Sequence, residues 1–179
     1  MSWRATGQRR IPVTAKMEGN FLESKLPAKA FATLTTPRRV GQRRLAESFS
    51  AWIQGVQAHN RVTLGWIRSI EKDSQPHIHA ALIAAVRLDC THVAMLWRAM
   101  VAPRYSEAAI VKPYRRGLCG LGYVLKRLNN FDGDIQFSEN ITSFAAGNGK
   151  SLFRTSSAER RLHRRIKAQF VRNSSMLSC

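Results

Sequence analysis

The sequence predicts an α+β fold: a ferredoxin-like antiparallel sheet of chain order β-α-β-β-α-β, with helices on one face and an extra helix after it. Three observations predict it. Short runs rich in β-branched and aromatic residues alternate with two longer stretches whose apolar residues recur at helical spacing. A polar turn, Lys72-Asp73-Ser74-Gln75, joins two of the runs directly. Two β-α-β halves joined by such a hairpin place their helices on one side of a single sheet and leave the other side open for a site. That arrangement hosts many unrelated functions, so the chemistry has to be sought in particular residues.

Phe31–Thr36 is the first strand, stopped by Pro37. Val40–Asn60 is a helix, with Leu45, Phe49, Trp52, Ile53 and Val56 in one stripe. Val62–Glu71 and, after Pro76, His77–Val86 are the hairpin strands. Asp89 caps a helix running to about Val101, with Val93, Leu96, Trp97 and Met100 on one face. Ala108–Lys112 is a short strand before Pro113, and Leu118–Leu128 reads as the extra helix despite Gly120 and Gly122. Trp52, Trp66 and Trp97 read as core. Residues 1–28 lack periodicity and read as a flexible basic arm, 29–150 as the domain. Residues 151–179 form a basic tail in which Arg160–Val171 can be helical.

Charge narrows the partners. The net charge is +18 over 179 residues, and it is unevenly placed. Residues 1–44 hold ten Lys and Arg against two acids, and 151–179 hold seven against one. The middle of the chain is much nearer balance. Such ends attract polyanions, nucleic acid first, and contribute affinity without sequence choice. Apolar residues at 44% are too many for a wholly disordered chain. Three scattered cysteines without a C-x-x-C pair point to neither a disulfide framework nor a zinc knuckle. No apolar run approaches a membrane span, and no apolar segment follows Arg4, Arg9 and Arg10 as a secretory signal would require. The expected location is cytoplasmic and DNA-associated, with no membrane partner.

The chemistry concentrates around Pro76-His77-Ile78-His79. Two imidazoles at i and i+2 on a strand project from one face. A turn over residues 72–76 sets Glu71 opposite His77 and Ser69 opposite His79, so two nitrogens and a carboxylate converge. A mixed N/O set of this kind suits Mn²⁺ or Mg²⁺ and leaves positions for substrate oxygens. An H-x-H pair by itself is weak evidence, since a solvent-facing histidine pair on a hairpin reads the same way. Downstream, Tyr123-Val124-Leu125-Lys126 puts Tyr and Lys on one helix face.

A first strand carrying Thr33-Leu34-Thr35, an H-x-H strand and a later Y-x-x-K helix, in this order, resemble the HUH superfamily of rolling-circle replication initiators. The resemblance covers about residues 30–130 and is to the single-tyrosine class. It implies that His77 and His79 bind the metal with Glu71 as third ligand, that Tyr123 is the nucleophile and that Lys126 is its accompanying lysine. It further implies nicking of single-stranded or locally melted DNA at an origin, with a host helicase as partner. Arg38, Arg39, Arg115, Arg116 and Arg127 are the expected DNA-binding residues.

The physical case runs parallel to the resemblance. A phenol ordinarily titrates near pH 10, so it attacks phosphorus only with help from its site. A divalent ion on the scissile phosphate and a nearby lysine provide that help. A phosphotyrosine ester keeps the energy of the broken bond, so a 3′-hydroxyl can reverse the step. Tyr105 and Tyr114 lack a lysine three residues on. His59, His92 and His163 read as helix-surface residues, and Trp3 as a weak stacking candidate. Gly147-Asn148-Gly149-Lys150-Ser151 fails as a phosphate loop, because Phe144 stands where its first glycine belongs. Two other readings compete: a ferredoxin-like nucleic-acid-binding module without catalysis, and a relaxase or transposase with the same site.

Overall fold

A computed structural model describes residues 11–37, 40–71, 75–101, 108–127 and 134–146. The elements are α1 (Val13–Lys25), β1 (Ala28–Thr35), α2 (Gln42–Asn60), β2 (Gly65–Glu71), β3 (His77–Ile83), α3 (Cys90–Val101), β4 (Ala109–Pro113), α4 (Gly120–Val124), β5 (Asp134–Phe137) and α5 (Ile141–Ala146). Five strands form one sheet in the order β4-β1-β3-β2-β5, and each neighbouring pair is antiparallel. The first four follow the ferredoxin-like order, and β5 extends the sheet beyond β2. Helix α2 buries Leu45, Phe49, Trp52, Ile53 and Val56, and α3 buries Val93, Ala94 and Trp97. Trp52 donates through its indole N–H to the Val93 carbonyl at 3.0 Å, which ties the two helices together. Asp89 Oδ1 accepts from the amides of Thr91 and His92, so it caps α3.

Helices cover both faces of the sheet, not one. The reason lies in β2 and β3, which are buried on alternate residues and on those between. Ile70, Ile78, Ala80 and Leu82 face α2 and α3. Ile67, Ala81 and Ile83 belong to a second core with Leu22, Leu121, Val124 and Leu125. Strands apolar on both sides need a layer on each side. Helices α1 and α4 supply the second layer.

Residues 13–25 therefore belong to the fold and not to a flexible arm. Helix α1 escapes a periodicity search because its buried stripe is made largely of small residues, Ala15 and Gly19 with Leu22, while Val13 and Met17 point outward. Gly19 is there for contact: a Cβ on it would lie 2.3 Å from the Gly122 nitrogen. Helix α4 is also shorter than expected. It starts after Cys119, whose φ of 56° is left-handed, and ends at Val124. Residues 1–10, Arg38, Arg39, Tyr105, residues 147–151 and Arg160–Val171 lie outside the described residues.

Candidate active site

The hairpin register sets Glu71 opposite His77 and Ser69 opposite His79. On the other side of β3, Thr35 pairs with His77 and Thr33 with His79. Alternate positions of three strands thus present Thr33, Ser69, Glu71, His77 and His79 on one face. His77 Nε2 and His79 Nε2 stand 3.1 Å apart. Glu71 Oε1 is 3.3 Å from His79 Nε2, and Glu71 Oε2 is 3.6 Å from His77 Nε2. One ligand atom from each of the three residues lies within 4.8 Å of the others.

These residues fit a metal ion by three observations. Two nitrogens bound at right angles about 2.1 Å from one ion stand about 3 Å apart, which matches the histidine pair. His77 Nδ1 lies 3.1 Å from the Gln75 carbonyl, so it carries the ring proton and leaves Nε2 with a lone pair facing inward. Glu71 Oε1 and Ser69 Oγ are buried without a hydrogen bond of acceptable geometry, although cations approach the carboxylate. His79 Nδ1 is 3.1 Å from Thr33 Oγ1, which orients the second ring. The trio is a donor set able to hold a metal ion.

His79 is buried, not on an open sheet surface as the alternation suggested. Burial, followed by the positive groups of His77, Lys126 and Arg127, holds its pKa down to about 2. A ring kept neutral in this way retains a lone pair for a ligand. The covering layer is the tyrosine turn. Tyr123 meets His79 edge-on and Phe31 at a ring separation of 6.2 Å. Lys126 follows in a tight turn, its amide donating to the Tyr123 carbonyl at 3.2 Å. That turn lays Lys126 Nζ 3.7 Å from the centre of the phenol ring and 2.5 Å from Glu71 Oε1.

Arg127 departs from the expectation that it faces DNA. It is buried, and its Nη2 lies 3.4 Å from Glu71 Oε2. Arg115 and Arg116 are exposed on the loop between β4 and α4. Arg115 lines a cleft that also reaches His79 and Tyr123.

Sequence reasoning missed a second cluster, Glu23 with Tyr114. The Tyr114 hydroxyl donates to Glu23 Oε1 at 2.6 Å and accepts from the Leu121 amide at 2.9 Å. Glu23 Oε2 accepts from the Gly117 amide at 3.1 Å. Cys119 makes no side-chain cap, so this phenol satisfies an amide at the start of α4 in its place. Burial and the hydrogen bond to Glu23 push the Tyr114 pKa far up, which unsuits it as a nucleophile. Only an unexplained acid in a basic segment, Glu23, hinted at this in the sequence.

No protein-family model matches the chain, and no curated protein matches it. Among solved structures it is similar to the hypothetical protein ORF119 from Sulfolobus islandicus rod-shaped virus 1. Identity is 17%, the TM-score is 0.42, and the alignment covers 65% of this chain and 95% of that one. No helix among the described residues is long and apolar enough to cross a membrane.

Proposed function

We propose that this chain nicks and rejoins single-stranded DNA, using Mn²⁺ or Mg²⁺ and a covalent 5′-phosphotyrosine intermediate on Tyr123. In that reading it initiates rolling-circle replication of a small plasmid or phage at an origin opened by a host helicase. One observation carries the reading: the Glu71, His77 and His79 donor set lies directly beneath the ring of the tyrosine whose turn also delivers Lys126.

The chain's residues divide the work as follows. His77, His79 and Glu71 hold the ion, with Gln75 and Thr33 fixing the two rings. When bound, a divalent ion draws charge from the scissile phosphate and orients it. The half-buried Tyr123 gives its phenol proton to water in the cleft and attacks phosphorus. The P–O3′ bond breaks as the Tyr–O–P bond forms, and the leaving 3′ oxygen takes up a proton. Lys126 supplies a fixed positive charge beside the developing negative one. Reversal by a 3′-hydroxyl rejoins the strand without any outside energy source.

A sheet that only binds nucleic acid is favoured less. Stacking modules expose aromatics on central strands. Here the corresponding face of β2 offers buried Ile67 and Ser69, and Phe144 presses on Gly65.

The test is incubation with mixed-sequence single-stranded DNA and Mn²⁺, followed by a denaturing gel. A protease-sensitive protein–DNA adduct is expected. Its absence from wild type with both Mn²⁺ and Mg²⁺ sinks the reading.

A further inference from the structure

A cleft of about 1140 Å³ opens at Tyr123 and His79 and extends between the first turns of α1, the edge strand β4 and the loop after it. Its lining divides by chemistry. Phe31 is half-buried, while Val13 and Leu118 are 75% and 71% exposed. Lys16, Lys112 and Arg115 are exposed as well, and none ion-pairs with an acid among the described residues. Large apolar side chains left in water beside three such cations fit a ligand that is polyanionic along one edge and apolar on flat faces. Unpaired nucleotides have that character; in a duplex the base faces are already covered. The cleft also exceeds the roughly 300–1,000 Å³ of pockets for single drug-sized molecules, so it has room for more than one nucleotide.

We infer that this cleft seats the few unpaired nucleotides next to the scissile phosphate. Their bases lie against Phe31, Val13 and Leu118, and their phosphates against Lys16, Lys112 and Arg115. The inference rests on the nicking reading for the position of the scissile phosphate alone. Continuity with Tyr123 favours a DNA strand over an anionic lipid surface, which has the same mixed chemistry.

The experiment uses the full chain carrying Tyr123→Phe, in EDTA, with fluorescein-labelled oligothymidylate read by anisotropy. Leu118→Asp is expected to weaken binding about tenfold, the scale of one lost base contact. Lys112→Glu with Arg115→Glu should weaken it further and reduce the salt slope by at least about 2. An abasic version of the oligonucleotide should bind more weakly and lose its sensitivity to Leu118→Asp. All three side chains are exposed, so melting curves should match the parent. The inference is overturned if both variants bind within about twofold of the parent. It is also overturned if a duplex of the same length binds as tightly and with the same sensitivities. Loss of binding to phosphatidylserine vesicles with oligonucleotide binding intact overturns it in favour of a membrane. Adduct formation is scored separately with Tyr123 present. Cleft-dependent binding without adduct refutes nicking and keeps the cleft; adduct with insensitive binding does the reverse.

Discussion

The Tyr123 and His79 rings stand edge to face, their centroids 4.7 Å apart and their planes at 86°. The contact is made by the phenyl ring, so Tyr123→Phe preserves the packing and deletes only the hydroxyl. The covalent adduct should disappear, while oligonucleotide affinity stays within about threefold, the scale of one lost neutral hydrogen bond. A denaturing gel beside an anisotropy titration checks both halves. An adduct that survives in Tyr123→Phe identifies another nucleophile.

The histidines should separate stability from ion binding. His79 is buried and bonded to Thr33, whereas the His77 side chain is 20% exposed. His79→Ala should cost about 1–3 kcal/mol of folding free energy, and His77→Ala clearly less. Both should abolish the calorimetric signal of Mn²⁺ at concentrations that saturate wild type. Retained Mn²⁺ binding in both variants ends the metal reading.

The same burial sets a pH dependence. The folded chain holds the His79 pKa far below its ordinary value of 6.5, so the unfolded chain takes up a proton first as pH falls. Stability from the neutral ring is complete above about pH 6.5 and declines below it. Urea denaturation of wild type from about pH 7 to about pH 5 should show this loss, and His79→Ala should show less of it.

Tyr114 behaves in the opposite sense. Its pKa is raised, so the stability that its protonated hydroxyl contributes is present below about pH 10 and is lost as pH rises further. Tyr114→Phe should cost about 1–3 kcal/mol near neutrality, because Glu23 loses a buried donor and the Leu121 amide its acceptor. Denaturation at about pH 8 and about pH 11 should show a smaller pH effect in Tyr114→Phe than in wild type.

Gly19→Ala should be among the most damaging small changes. The added methyl would meet Gly122 backbone, which cannot rotate aside, so α1 and α4 must separate. Overpacking of this kind costs about 1–3 kcal/mol. A lower melting temperature together with a reduced adduct yield is expected, since α4 carries Tyr123. Gly41→Ala, with open space around its position, is the control.

Much of this was legible in the sequence because large side chains carry periodicity. Leu45 through Val56 announced α2, and β-branched residues bounded by Pro37 and Pro76 announced the central strands. The donor set was legible because strand pairing is a parity rule: the placement of the turn decides that Glu71 meets His77. What stayed hidden depends on contacts that leave no pattern. Helix α1 packs through Ala15 and Gly19, residues that look like loop. Strand β5 is four residues long and owes its place to pairing with β2. The burial of His79 and the inward turn of Arg127 follow from the second helical layer, whose existence rests on α1.

Glu71 is a single carboxylate answering two imidazoles, an ammonium and a guanidinium. Counting only permanent charges, the cluster carries an excess of one positive charge before any ion arrives and of three once a divalent ion is added. Cation entry is thus opposed by its own surroundings, and an incoming phosphodiester relieves that opposition. Thermodynamic linkage makes the benefit mutual: whatever factor the strand adds to ion affinity, the ion returns to strand affinity. A chain built this way is a poor ion store on its own. It arms itself in the presence of the strand it is to cut.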